Sequence, residues 1–459
     1  MENQSSSERN SRFIQTLWLT YAFSMNGFNN GILGPALLDL QFLVKVNLDT
    51  ISNLFIVSGV GFIIGNVTAM VLKKYVDTEL FLGLSVLFGS VINIVLLVVP
   101  VYAYVVIMTL LQGIFKGVIG FCVLIMCNVI WKDNKSFAFQ FVCIGGGISS
   151  FIVPFIAKPF LSETHFKHST DSDVYTECQN TTNPPLSADC YTFENTNVQW
   201  AYVIVGLIMI PPAISFLYYY HRSRKQTNVP YEEFDNETKP SKASMINNQS
   251  TYFFLVLLFI FHIPIFGFCL AFGGLLTEFG VISDFHYTKS TMAIMTSMYW
   301  GSFVFGRIVN LIFSQYINLF VVLTVNLAGL LCATTMLVLA TVSRPIIFWI
   351  GTVLIGLFSS SLLPTALVWS DKYVPVSGFT ITTTLIASGM GDIVLPRIGG
   401  AVFDTEGPPS LMIMMLVAAL FELAFFIGLA LVGNSLVIKS QPSEDEQSKQ
   451  IVKEEHYTP

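Results

Sequence analysis

Apolar residues fall along this chain in long blocks separated by short polar breaks. The blocks lie near 13–38, 50–72, 79–100, 102–130, 137–161, 200–220, 251–276, 289–313, 317–341, 345–368, 376–403 and 409–433. A helix needs about 20 mostly apolar residues to cross a bilayer core, so the pattern predicts an all-α membrane protein with about twelve transmembrane helices. Three polar stretches are long: 162–199, 221–250 and the tail after 434. The middle one divides the blocks into two sets of six, an organisation that secondary transporters use. The expected domains are a terminus (1–12), a first six-helix half (13–220) carrying the loop 162–199, a linker (221–250), a second half (251–433) and a disordered tail (434–459).

Composition agrees with lipid as the main solvent. Only 11% of residues are charged against 53% hydrophobic, where soluble domains carry roughly 25% charged. The net charge of -6 says less than where the charges sit. With both termini cytoplasmic, the inside loops hold Arg9, Arg12, Lys73, Lys74, Lys132, Lys135, Arg222, Arg224, Lys225, Lys239, Lys242, Arg307 and Lys372. The outside loops hold only Lys45, Lys167, Lys289 and Arg344, with Lys158 and Arg397 at helix ends. The positive-inside rule therefore puts the 162–199 loop outside; the plasma membrane is the expected residence. In that loop Cys178 and Cys190 are placed to form a disulfide if the compartment is oxidising, and Asn180 opens an N-glycosylation sequon. The other five cysteines lie in apolar blocks and suit packing. The polar opening MENQSSSERNSR, followed by a block of spanning length with no small-residue cleavage site, predicts a retained first helix.

Polar side chains inside spans are costly, so each is a functional candidate. Asn26, Asn29 and Asn30 share one face of the first helix. They either line a wet cavity, where amides suit a neutral polyhydroxyl solute, or bond between helices. Gln112 and Lys116 share a face of the fourth helix at i, i+4, as a solute-binding pair or as structural groups. Gln140 on the fifth helix, Thr296 and Trp300 on the eighth, and Thr383 and Ser388 on the eleventh complete the candidates for the solute. Asp392 is the candidate for a coupling cation or a sugar hydroxyl; its alternative is a salt bridge with Lys116 across the halves, and a pair that breaks on cation binding would be both. Gly389, Gly391 and Pro396 beside it permit a broken or kinked helix. Glu422 on the twelfth helix reads as a protonated or paired structural carboxylate. No nucleotide loop, metal cluster or nucleophile–base set points to an enzyme, and no cofactor is expected beyond Na+ as a coupling ion. Nothing suggests nucleic acid, and a monomer is expected.

Four segments in order resemble the sodium-dependent glucose transporter family, the domain-containing 4 group of the major facilitators. They are GILGPALLDLQFLVKVNLDTIS (31–52), GGGISSFIVPFIAKPFL (145–161), LTEFGVISDFHYTKSTMAIMTSMYWGSFVFGRIVN (276–310) and GLFSSSLLPTALVWSDKYVPVSGFTITTTLIASGMGDIVLPRIGGAVFD (356–404). The resemblance implies the major facilitator fold, alternating access and carriage of glucose or a related hexose with sodium. It also places Asp392 at the acidic position that follows the helix 11 glycine in that family. The superfamily signature between helices 2 and 3 is degraded: GNVTAMVLKKYVDTE keeps Gly65, Lys73 and Lys74 but lacks the usual internal aspartate. The rival readings are a carrier of a different solute, such as an organic anion held by Lys116, and a non-transporting sensor or scaffold of the same fold.

Overall fold

The computed structural model describes residues 2–46, 48–131, 134–166, 191–194, 196–226, 249–340 and 344–440. The first half contains α1 (Glu2–Val44), α2 (Leu48–Leu72), α3 (Thr78–Val95), α4 (Tyr102–Ile130) and α5 (Lys135–Ala157). It closes with α6, which runs Gln199–Ile208, breaks at Met209 and resumes as Ile210–Gln226. The second half contains α7 (Gln249–Ile282), α8 (Lys289–Phe313) and α9 (Leu319–Ala340). Then come α10 (Pro345–Ser359 and Leu362–Ser370), α11 (Gly378–Glu406) and α12 (Pro409–Ser440). Ten of the described helices are long and apolar enough to cross a membrane. The other two, α1 and α8, have 43 and 25 residues, beyond the ~20 a span requires. Their polar residues are what set them apart.

Local signals fix several of the ends. Asn134, Thr288 and Ser377 accept hydrogen bonds at the starts of α5, α8 and α11, from the amides of Phe137, Thr291 and Thr380. Gly407 ends α11 at φ 83°, a conformation that disfavours a Cβ. A short antiparallel hairpin, β1 (Glu163–Phe166) with β2 (Tyr191–Glu194), gathers the two ends of the 162–199 loop. Cys178, Cys190 and Asn180 lie outside the described residues.

The packing repeats after six helices. In the first half α1 packs on α5, α2 on α4 and α3 on α6; in the second α7 packs on α11, α8 on α10 and α9 on α12. The seams between halves obey the same shift, α5 against α8 and α11 against α2. Each half has its own apolar core, and outward faces carry exposed residues such as Val71, Phe305 and Leu431 that suit lipid. Equivalent seams close through glycine. A Cβ on Gly27 of α1 would lie 1.8 Å from the Gly146 carbonyl of α5, and one on Gly391 of α11 would lie 2.1 Å from the Ile263 carbonyl of α7. Small residues let backbones approach where lipid supplies no hydrophobic drive between helices.

Of the break or kink that Gly389, Gly391 and Pro396 permit, the break does not occur. α11 is continuous through Pro396, and Gly389 and Gly391 serve close contacts with α2 and α7. The interruptions fall instead in α6 and α10.

Candidate functional site: a polar cavity lined by the first half

A small cavity opens within the first half, its wall formed by α1, α2, the end of α3, α4 and α6, with Leu270 of α7 contributed by the second half. Its polar lining is Asn29 and Asn30, Ser58, Thr109, Gln112, Lys116 and Tyr202. The cavity volume is about 20 Å³. That is room for a water, which needs about 10–15 Å³, and not for a sugar ring.

The wall is organised by two side-chain assemblies. In the first, Gln112 Nε2 donates to Asn93 Oδ1 at 2.6 Å and to Asn29 Oδ1 at 3.3 Å. In the second, Lys116 Nζ donates to Asn30 Oδ1 at 2.9 Å and lies 3.6 Å from Asp392 Oδ2 of α11. The Phe62 ring centroid is 5.2 Å from the same nitrogen. Both members of the ion pair are buried, at 3% and 1% exposure. This contact joins the halves at the level of the cavity, and among the described residues neither Asp392 oxygen accepts a hydrogen bond.

Two further ion pairs join the halves at the opposite ends of the bundle. On the face that carries the 162–199 loop, Asp39 of α1 meets Lys289 of α8 at 2.9 Å, again buried. Asp39 also accepts from the Ser162 amide and hydroxyl and from Thr196 Oγ1, so one carboxylate ties α1, α8 and both ends of the loop. On the face that carries the termini, Lys135 meets Asp371 at 2.9 Å with partial exposure. There the closure is spread over more bonds. Gln140 donates to Thr365 at 2.7 Å, Asn128 to the Val376 carbonyl at 3.4 Å, and Ser136 to Ser314 at 3.3 Å. Arg307 donates to the Cys143 and Ser360 carbonyls.

The sequence candidates thus separate. Asn29, Asn30, Gln112 and Lys116 stand on the cavity wall, and Asp392 stands behind Lys116. Asn26 is buried with Oδ1 unpartnered, away from the lining. Gln140 belongs to the terminal-face closure. Thr296 is buried with its hydroxyl unpartnered, and Trp300 packs on Tyr299 and Phe303 at ring distances of 4.8 and 5.3 Å behind Gly273. Ser388 and Thr383 donate to the Thr384 and Phe379 carbonyls of their own helix. Glu422 is fully buried with neither oxygen hydrogen-bonded. Among the five packing cysteines, Cys332 is exposed; it faces outward from α9.

Sequence reasoning did not single out Asn93, Asp39 or the hydroxyls of Ser58, Thr109 and Tyr202. Asn93 carries the same signal as the α1 asparagines, an amide inside an apolar block. Isolated hydroxyls carry none, because helices commonly satisfy them internally.

Two six-helix halves related by a repeat, enclosing a polar cavity and bridged at both ends, define a secondary transporter and not an enzyme. The Major Facilitator Superfamily pattern matches residues 19–396, and the chain belongs to that family. It is 24% identical over 381 residues to human sodium-dependent glucose transporter 1, covering 82% of this chain and 70% of that protein. It is 25% identical over 479 residues to major facilitator superfamily domain-containing protein 4B of Danio rerio, covering 92% and 87%. Among solved structures, the E. coli fucose:proton symporter shares its fold at a TM-score of 0.60 and 15% identity, covering 92% of this chain and 99% of that one.

Proposed function

We propose that this protein carries a small neutral polyhydroxylated solute, a hexose of the glucose type, by alternating access, and that a cation is coupled to it at Asp392. The observation that carries this reading is the cavity wall itself. Amides of Asn29, Asn30 and Gln112 stand beside three hydroxyl-bearing residues, and such a surface offers donors and acceptors together, as sugar hydroxyls require. The names of the curated relatives point the same way. A net charge on the solute is disfavoured because Lys116 is already neutralised by Asp392 at 3.6 Å. An organic anion would have to compete with a buried carboxylate.

Coupling follows from that pair. Sodium needs several oxygen ligands, and the ammonium of Lys116 occupies the approach to Asp392. A cation that binds Asp392 displaces Lys116 from it, freeing ammonium donors for the solute beside Asn30. Cation and solute then favour each other's binding, as linkage requires. The two halves rock about the filled cavity, breaking the Asp39–Lys289 closure in one state and the Lys135–Asp371 closure in the other. In the plasma membrane, with cytoplasmic termini, the loop face would meet the exterior.

The test is uptake of radiolabelled glucose or α-methyl glucoside into cells expressing the protein, in sodium and with choline in its place. Sodium-dependent uptake is expected. Uptake indifferent to sodium would remove the coupling and keep the carrier. No uptake by protein present at the surface would overturn the hexose assignment.

A further inference from the structure

Asn93 lies one layer behind the cavity. It sits in α3, fully buried, and is absent from the lining. Its Oδ1 receives the shortest hydrogen bond of the amide group, 2.6 Å from Gln112 Nε2, and its own Nδ2 has no partner. An amide placed in the membrane interior for packing alone would be an expensive choice, since every unpartnered polar atom there carries a desolvation cost.

The geometry points to Asn93 as a positioning residue that sets the polarity of the solute site. We infer that its oxygen, with that of Asn29, occupies both N–H groups of Gln112. The carbonyl Oε1 of Gln112 is then the group left to accept from a solute. The same arrangement leaves Asn29 Nδ2 buried and without a partner among the described residues, a donor for a solute once the cavity widens. An acceptor and a donor fixed side by side read the two faces of one hydroxyl, or two neighbouring hydroxyls of a ring, in a single orientation. Without Asn93, Gln112 can rotate its amide and present N–H or C=O indifferently. The site would then lose its discrimination at that hydroxyl and, with it, the affinity that the fixed acceptor gives glucose.

This inference rests on the hexose reading, and the experiment separates the two. Uptake of glucose and of its monodeoxy analogues is measured for the native protein, Asn93→Leu, Gln112→Leu and the double variant, each normalised to surface protein. In the native protein one analogue, lacking the hydroxyl that meets Gln112, should show a KM about tenfold above glucose, the worth of one buried hydrogen bond. Asn93→Leu should raise the KM for glucose to about that of this analogue, with Vmax little changed and the other analogues affected as glucose is. In the Gln112→Leu background, Asn93→Leu should have no further effect, because coupled residues are not additive. Should the leucine variant fail to reach the surface, Asn93→Ala removes the same oxygen and carries the same expectation. A uniform fall in Vmax for every sugar, additive with Gln112→Leu, would mean a structural role and overturn the assignment alone. No hexose uptake by the native protein would overturn both readings.

Discussion

The Lys116–Asp392 pair shows what single side chains decide here. Each charge is buried, and each is tolerable because the other is there. Removing one partner of a buried pair costs about 3–5 kcal/mol, whereas replacing both by apolar groups is often near neutral. Lys116→Met should therefore lower the melting temperature of the purified protein markedly, and adding Asp392→Asn should recover much of the loss. Equal destabilisation in the single and double variants would contradict the pairing. Asp392→Asn alone should also lower the melting temperature, and in the protein that reaches the surface it should abolish the cation dependence of uptake. If that dependence persisted, the coupling ion would bind elsewhere.

At the scale of helices, glycine positions divide by what surrounds them. Gly391 faces the α7 backbone, with a notional Cβ 2.1 Å from the Ile263 carbonyl, while Gly428 of α12 has nothing within 4 Å. Gly391→Ala must push α11 off α7 and should cost about 1–3 kcal/mol, as overpacking does. Gly428→Ala should be neutral or stabilising by up to about 1 kcal/mol through helix propensity. Thermal unfolding in one detergent checks both, and equal effects would show that the α7–α11 seam is not close-packed.

For the whole molecule, the two closures differ in how they are built. On the loop face four hydrogen-bond donors converge on Asp39. On the terminal face the bridging bonds are distributed over α4, α5, α8 and the α10–α11 connection, and the Lys135–Asp371 pair is partly exposed, worth about 0–1 kcal/mol. One substitution can therefore release the loop face but not the terminal face. With Ser58→Cys as a reporter on the cavity wall, Asp39→Asn should speed labelling by an impermeant thiol reagent applied to the loop face about tenfold or more. Asp371→Asn should change labelling from the terminal face by less than about threefold. The reverse ranking would place the principal closure on the terminal side.

The number of spans, their grouping in sixes and the family were legible in the sequence. Each depends on local facts: the length of an apolar block, the spacing of polar breaks, a run of residues in order. A bilayer makes these facts decisive, because backbone polar groups in lipid must be satisfied within the helix. Polar residues in apolar blocks likewise marked Asn29, Asn30, Gln112, Lys116 and Asp392 as unusual. What the sequence left open was which of them meet. Gln140, Thr296 and Trp300 carry the same signal as Gln112 and lie away from the cavity. Lys289 was read only as an outside-loop charge and Asp39 drew no reading, yet the two form a buried closure 250 residues apart. The glycines of α11 were compatible with a break or a kink, and their close contacts with α2 and α7 were not legible in the sequence. These outcomes depend on how two halves dock and how each helix is rotated, which are properties of contacts distant in sequence that no local pattern encodes.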